Sequence, residues 1–219
     1  MTTIYLIRHS LVFTDMENYN NSESFQMQNE KQPLSVEGEN RARILSEYEE
    51  LQDIDYIVSS NYTRALSTAK YIASKNNLKV EVDENFNERL FGIDSWSDIS
   101  KDFFEKQIKE PNYKIKLGEC QEEVRNRMYG GLINVLHNHK DEKIVILSHN
   151  TAMTFLLMKW CEINLTEVDR HRILKYKGKV IFDRPFDAPE VFKIEFDETN
   201  PISIEHIVIK DLEQIKTDL

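Results

Sequence analysis

Two histidines in this chain stand directly behind short apolar runs: Ile4 to Ile7 ends on Arg8-His9, and Ile144 to Leu147 ends on Ser148-His149. A third run, Ile54 to Val58, ends on Ser59-Ser60, with Arg64 one helical turn further on. A fourth, Val80-Glu81-Val82, leads through a short loop to Glu88-Arg89. Imidazoles, guanidinium groups and a carboxylate together suit a tetrahedral oxyanion. Guanidinium groups give bidentate hydrogen bonds to phosphate oxygens, and helix N-termini near Tyr62 and Asn150 add backbone N–H groups. An imidazole with one bare nitrogen can attack phosphorus, and a protonated carboxyl nearby can hand its proton to the departing alkoxide. Phosphoryl transfer of this kind runs through positioned charge, without a metal.

Bringing these residues together requires the apolar runs to be neighbouring strands, because ligands of open α/β sheets bind beyond the carboxyl ends of the strands. The runs are rich in β-branched residues, as strands are. Helical patterns separate them. Ser35 is placed to cap a helix carrying Ala42, Leu45, Tyr48 and Leu51 through about Glu50; Ala65, Leu66, Ala69, Ile72 and Ala73 mark a second; Val124, Met128, Leu132, Val135 and Leu136 mark a third. Thr151 to Cys161 is apolar nearly all round and predicts a buried fourth. Strands alternating with helices predict an α/β three-layer sandwich: a mostly parallel central sheet with helices on both faces. Phe192, Ile194 and Phe196, a turn through Asn200-Pro201, and Ile202-Ser203-Ile204 predict a hairpin at the sheet's edge. Residues 84–118, with Trp96, Phe103 and Phe104 as core and Pro111 beyond them, read as a cap-like excursion. Without repeats or low-complexity linkers, residues 1–219 read as one domain.

Composition narrows the partners. Lys and Arg number 28 against 38 Asp and Glu, a formal charge of −10, which opposes attraction to nucleic acid or anionic membranes. The expected partner is a small phosphorylated metabolite, and no signature of an oligomeric state is present. The two cysteines, Cys120 and Cys161, have neither CxxC spacing nor a framework around them, which points to a reducing, cytoplasmic setting. No run approaches bilayer-spanning length. GxxxxGK[ST] and GxGxxG are absent, so neither a P-loop nor a dinucleotide cofactor is expected. His137-Asn138-His139 reads as imidazoles at a helix C-terminus rather than a metal pair. Lys175, Lys177, Lys179 and Arg184 read as a solvated basic segment, with lining of the substrate mouth as the alternative. Cys161 reads as an inert filler of the buried helix.

Leu6-Ile7-Arg8-His9, Pro33-Leu34-Ser35 with Gly38, Ser59-Ser60 with Arg64-Ala65 and Thr68-Ala69, Asn87-Glu88-Arg89 with Phe91-Gly92, and Ser148-His149 follow one another in order. In this ordered set, spanning nearly all of residues 1–210, the chain resembles the histidine phosphatase superfamily, also called the phosphoglycerate mutase-like family. The resemblance implies that His9 is the nucleophile forming a phosphohistidine. It implies that Arg8 and Arg64 clamp the phosphate, that His149 contacts it, and that Glu88 is proton donor and then base. Asn150 is carried over as a backbone contact. A hydrolase acting on phosphomonoesters is expected, with no cofactor and no metal; a mutase or a silent phospho-ligand-binding module on the same fold are the alternatives. Three positions depart from the family's pattern. Ser10 and Asn150 stand where it usually has glycine after each histidine, and Asp15 stands where its mutases tend to carry Asn. Asp15 and the short segment after Arg89 lean towards hydrolysis.

Overall fold

A computed structural model describes residues 1–14, 23–165 and 171–212. Its centre is a six-stranded sheet in the order β3-β2-β4-β1-β8-β9, built from β1 (Thr2–Arg8), β2 (Tyr56–Ser59), β3 (Glu81–Val82), β4 (Lys143–Ser148), β8 (Glu190–Asp197) and β9 (Asn200–Ile207). β3, β2, β4 and β1 are parallel; β8 and β9 run antiparallel as the edge hairpin. Strand alternation divides the core. Ile4, Leu6, Ile144 and Ile146 face α5 (Gln121–Asn138) and α6 (Asn150–Leu157), whereas Tyr5, Ile7, Val145 and Leu147 face α2 (Val36–Ser46) and α3 (Thr63–Lys75). The three layers expected from the alternation of runs are present.

The boundaries differ where side chains compete with the ladder or the helix. α2 is capped by Ser35 Oγ on the Gly38 N–H at 2.9 Å. It ends at Ser46 rather than Glu50, because the Gln52 amide donates to the carbonyls of Ser46 and Tyr48 at 2.8 and 3.1 Å and folds the chain back. β2 begins at Tyr56 rather than Ile54, whose N–H donates to Asn76 Oδ1 at 2.9 Å instead. The expected helix from Thr151 to Cys161 closes at Leu157, after which Cys161 opens a strand. Cys161 is still a buried filler, its thiol pushed up to about 12 by burial. The edge hairpin turns at Glu198-Thr199, not Asn200-Pro201: Asp197 pairs with Asn200, and Pro201 lies within β9, where an edge strand tolerates it.

A second sheet was not foreseen. β5 (Cys161–Leu165), β6 (Arg172–Tyr176) and β7 (Lys179–Arg184) form three antiparallel strands packed over Phe192 and Ile204. The basic stretch makes the β6–β7 hairpin, whose turn places Lys177 and Gly178 at φ 50° and 77°. Lys177 and Lys179 border a groove between β7 and β9, while Arg184 pairs with Glu190. Within residues 84–118, α4 (Phe103–Lys109) sits over a separate small core of Phe91, Ile93 and Phe103. Trp96 corrects the sequence reading: it lies on its own short 3-10 turn, about half exposed at 49%, with its ring edge-on to Phe25 and Phe91. Phe25 belongs to α1 (Phe25–Lys31), so α1 and the excursion meet.

Candidate functional site

The register of the parallel strands brings the polar residues to one edge. Arg8 pairs with Ser148 and Ser59 with Leu147, so His9, Ser60 and His149 all leave the sheet together. The His9 N–H closes the array on Ser148 O at 3.0 Å. The imidazole rings of His9 and His149, 140 positions apart in the chain, lie with centroids 5.0 Å apart.

The hydrogen-bond network assigns the tautomer of each ring. His9 Nδ1 lies 2.7 Å from the Ser10 carbonyl, which only accepts, so Nδ1 carries the proton; Nε2 is bare and accepts from Arg64 Nε at 3.1 Å. Burial, then Arg64 and Arg8, hold this ring well below the usual 6.5, and it is neutral. For His149 the chain of bonds is longer. Asn87 Oδ1 accepts from the Asn61 N–H at 3.0 Å and from Ser60 Oγ at 2.8 Å, so the Ser60 proton is committed. Ser60 Oγ therefore accepts from His149 Nε2–H at 2.8 Å, leaving His149 Nδ1 bare, buried and without a hydrogen-bond partner. Burial again comes first in lowering its pKa well below 6.5, with Arg64, His9, Arg8 and Arg127 adding to it.

Arg8 ends β1. Its Nη1 donates to the carbonyls of Phe186 and Asp187 at 3.1 and 2.7 Å, and its Nε is buried without a partner. Arg64, in the first turn of α3, reaches His9, the carbonyl of Asn29 in α1, and the face of Tyr62 at 5.0 Å. Glu88 lies across the N-terminus of α6: Oε1 accepts from the N–H groups of Arg89 and Ala152 at 2.9 and 3.0 Å, and Oε2 from Thr151 at 3.2 Å. It thus caps the helix that follows His149, satisfying donors that His149 itself leaves open. Asn150 opens that helix with its Oδ1 buried and unpartnered. Asp15 lies outside the described residues.

Ser10 and Asn150 fit where glycine is usual, because neither adopts a left-handed backbone. The Ser10 N–H, however, donates to Thr68 Oγ1 at 2.9 Å, and its hydroxyl to Gly38 O at 2.7 Å. Ser10 therefore ties β1 to α2 and α3 rather than offering an amide to a ligand. Gly38 permits that approach: a Cβ there would stand 1.9 Å from Leu11 O.

Sequence reasoning had no role for several residues that hold this array. Ser60 and Asn87 orient His149, and Thr68 holds Ser10. Arg127 of α5 donates to the carbonyls of Asn85, Asn87 and Glu88 at 2.7, 2.9 and 3.2 Å, fixing the loop that carries Glu88. Its one signal is a cation beside the apolar stripe of Val124 and Met128. Arg89 is fully buried among the rings of Phe91, Phe103 and Phe104, at 4.5, 4.9 and 4.4 Å, and locks the excursion to the Glu88 loop. Among the described residues, no three His, Cys, Asp or Glu side chains are grouped to hold a metal ion. Nor is any described helix long and apolar enough to cross a membrane. His139 bonds Glu142 through Nδ1 at 2.8 Å and stacks on Tyr56.

A parallel sheet whose carboxyl edge gathers two neutral imidazoles and two guanidinium groups defines an α/β protein with a cationic cluster at that edge. Comparison with known proteins gives the family. The histidine phosphatase superfamily (branch 1) matches residues 4–190, and the chain belongs to it. It is 30% identical over 125 residues to a protein of Bacillus subtilis (strain 168) named "Uncharacterized phosphatase PhoE", covering 57% of this chain and 63% of that one, under two thirds of the relative's length. It is 28% identical over 164 residues to the "Probable phosphoglycerate mutase GpmB" of Yersinia enterocolitica, covering 72% and 74% of the two chains. The structure of a mycobacterial glucosyl-3-phosphoglycerate phosphatase superposes with a TM-score of 0.63 at 17% identity over 94% of this chain and 97% of that one, a likeness of fold.

Proposed function

We propose that this protein is a phosphomonoesterase acting on a small phosphorylated metabolite through a phosphohistidine on His9. The observation that carries the reading is the bare Nε2 of a buried, neutral His9, held by Arg64 and 5.0 Å from a second neutral ring. The phosphoryl group of the substrate sits between Arg8, Arg64 and His149, with the Asn150 end of α6 supplying N–H dipoles. Arg64 shifts its donors from His9 Nε2 to the phosphoryl oxygens. Nε2 then attacks phosphorus, the P–O ester bond breaks, and Glu88 passes a proton to the departing alkoxide. Glu88 Oε2, which takes one backbone N–H where Oε1 takes two, is the oxygen assigned to that proton. In the second step Glu88 takes a proton from water, whose oxygen attacks phosphorus, and the P–N bond breaks to release inorganic phosphate and the free ring. His149 Nδ1 takes up a proton with the anion and stabilises the equatorial charge of both transition states. No step calls on a metal or an organic cofactor. Two cysteines that are both buried and free support a reducing, cytoplasmic setting.

Relatives named as mutases support a second reading, phosphoglycerate mutase-type transfer, in which the phosphohistidine returns its phosphoryl group to substrate. The retained histidines, arginines and Glu88 weigh against a silent binding module. The test is a panel of phosphorylated metabolites, scored for released phosphate and for labelled phosphate trapped on the protein. Hydrolysis with an acid-labile label is expected in wild type, and a loss of at least about 10³-fold in kcat in His9→Ala. Activity that survives His9→Ala overturns the mechanism, and isomerisation of 3-phosphoglycerate faster than phosphate release replaces phosphatase by mutase.

A further inference from the structure

We infer that Glu190, far from the reacting atoms in sequence, is the positioning residue for Arg8. This rests on the reading of Arg8 as a phosphate clamp. Glu190 is 2% exposed and opens β8 directly across the ladder from Arg8. Both carboxylate oxygens are engaged. Oε2 accepts from the Asp187 N–H at 2.8 Å; Oε1 accepts from Arg184 Nη2 at 3.0 Å and from His206 Nε2 at 2.6 Å. A carboxylate only accepts, so the His206 proton is on Nε2. The His206 ring is packed edge-on to Phe182 at 4.8 Å and beside Phe192 at 5.5 Å, which leaves it little freedom to turn away.

The consequence falls on the segment between β7 and β8. Arg8 Nη1 is held by the carbonyls of Phe186 and Asp187, and the next carbonyl, that of Ala188, accepts from Arg41 Nη1 at 3.3 Å. The Asp187 N–H shares its peptide with the Phe186 carbonyl, so drawing that N–H onto Glu190 Oε2 turns the carbonyl the other way, towards Arg8; the Ala188 N–H of the next peptide is held by Asp187 Oδ1 at 2.7 Å. The carboxylate thus turns a peptide segment so that it grips one end of the Arg8 guanidinium. Arg8 Nε remains buried and without a partner, a donor that an oxyanion would satisfy. Glu190 touches neither substrate nor nucleophile in this scheme; it acts through Arg8.

A double-mutant cycle over E190Q and R8A tests this, read both as kcat/KM for the best substrate of the panel and as the dissociation constant of inorganic phosphate. Glutamine keeps the volume but has one acceptor oxygen, so it serves either Asp187 or the Arg184 and His206 pair. With Arg8 present, E190Q is expected to weaken phosphate binding and kcat/KM by about tenfold; in the R8A background the same change costs less than about twofold. E190D, one methylene too short to reach Asp187, gives the same pattern, and near-ultraviolet circular dichroism reports whether each variant is folded. Equal losses in both backgrounds, or no loss, overturn the assignment and leave the phosphatase reading standing. Failure of both Glu190 variants to fold also overturns it, making Glu190 a structural residue. A wild type that neither binds phosphate nor hydrolyses any panel member removes the underlying reading and this inference with it.

Discussion

His149 shows how far the state of a ring depends on its neighbours. Its free Nδ1 exists because Ser60 Oγ, its own proton given to Asn87, can only accept from Nε2. Ser60→Ala removes that acceptor and lets the ring exchange tautomers or rotate. The expected result is a fall of about 10- to 100-fold in kcat with a smaller change in KM, measured by steady-state phosphate release. An unaltered kcat would contradict the tautomer assigned to His149. The two arginines differ in the same way. Arg64 is tied to the ring of His9, Arg8 to the carbonyls of Phe186 and Asp187, so in the proposed mechanism Arg64 exchanges a partner on binding whereas Arg8 is set in place beforehand.

At the scale of elements, the site depends on the close approach of α2 to the chain after β1. Gly38→Ala drives a Cβ into backbone, at Leu11 O, and displaces the Gly38 carbonyl that Ser10 Oγ uses. A destabilisation of about 1–3 kcal/mol with reduced activity is expected from urea unfolding and initial rates. Gly130, on the exposed side of α5 with nothing within 4 Å of its added Cβ, is the contrast. There alanine removes only unfolded-state freedom, and a gain of about 0.5–1 kcal/mol with unchanged kcat is expected from the same urea titration. Equal effects at the two positions would show that the approach of α2 carries no strain. α6 illustrates a different economy: its open N-terminus is capped from outside by Glu88, so the residue assigned to proton transfer also orders the helix that begins beside His149.

For the whole molecule, burying two neutral imidazoles ties stability to pH. Both are held well below 6.5, by burial first, while histidine in the unfolded chain titrates near its ordinary value of about 6.5. Below that pH the unfolded state binds protons that the native state refuses. Stability is therefore fully present above about pH 6.5 and is lost as pH falls, with a slope approaching about 1.4 kcal/mol per pH unit for each ring. Urea midpoints taken between about pH 7 and about pH 5 should show a shallower fall in His9→Gln than in wild type; parallel curves would mean that the ring is charged when folded. The sequence alone determined the layered α/β sheet and the convergence of Arg8, His9, Arg64, Glu88 and His149 at one edge, because strand-ending position and apolar period are local properties that survive without coordinates. It could not determine which nitrogen of each ring is bare, that Glu88 caps α6, that β5, β6 and β7 form a second sheet, or that Arg127 fixes the loop carrying Glu88. Arg64 on His9, Ser60 on His149, Glu88 on α6 and Arg127 on the Glu88 loop are contacts between segments tens of residues apart, and the identity of a distant partner leaves no periodic trace in the chain.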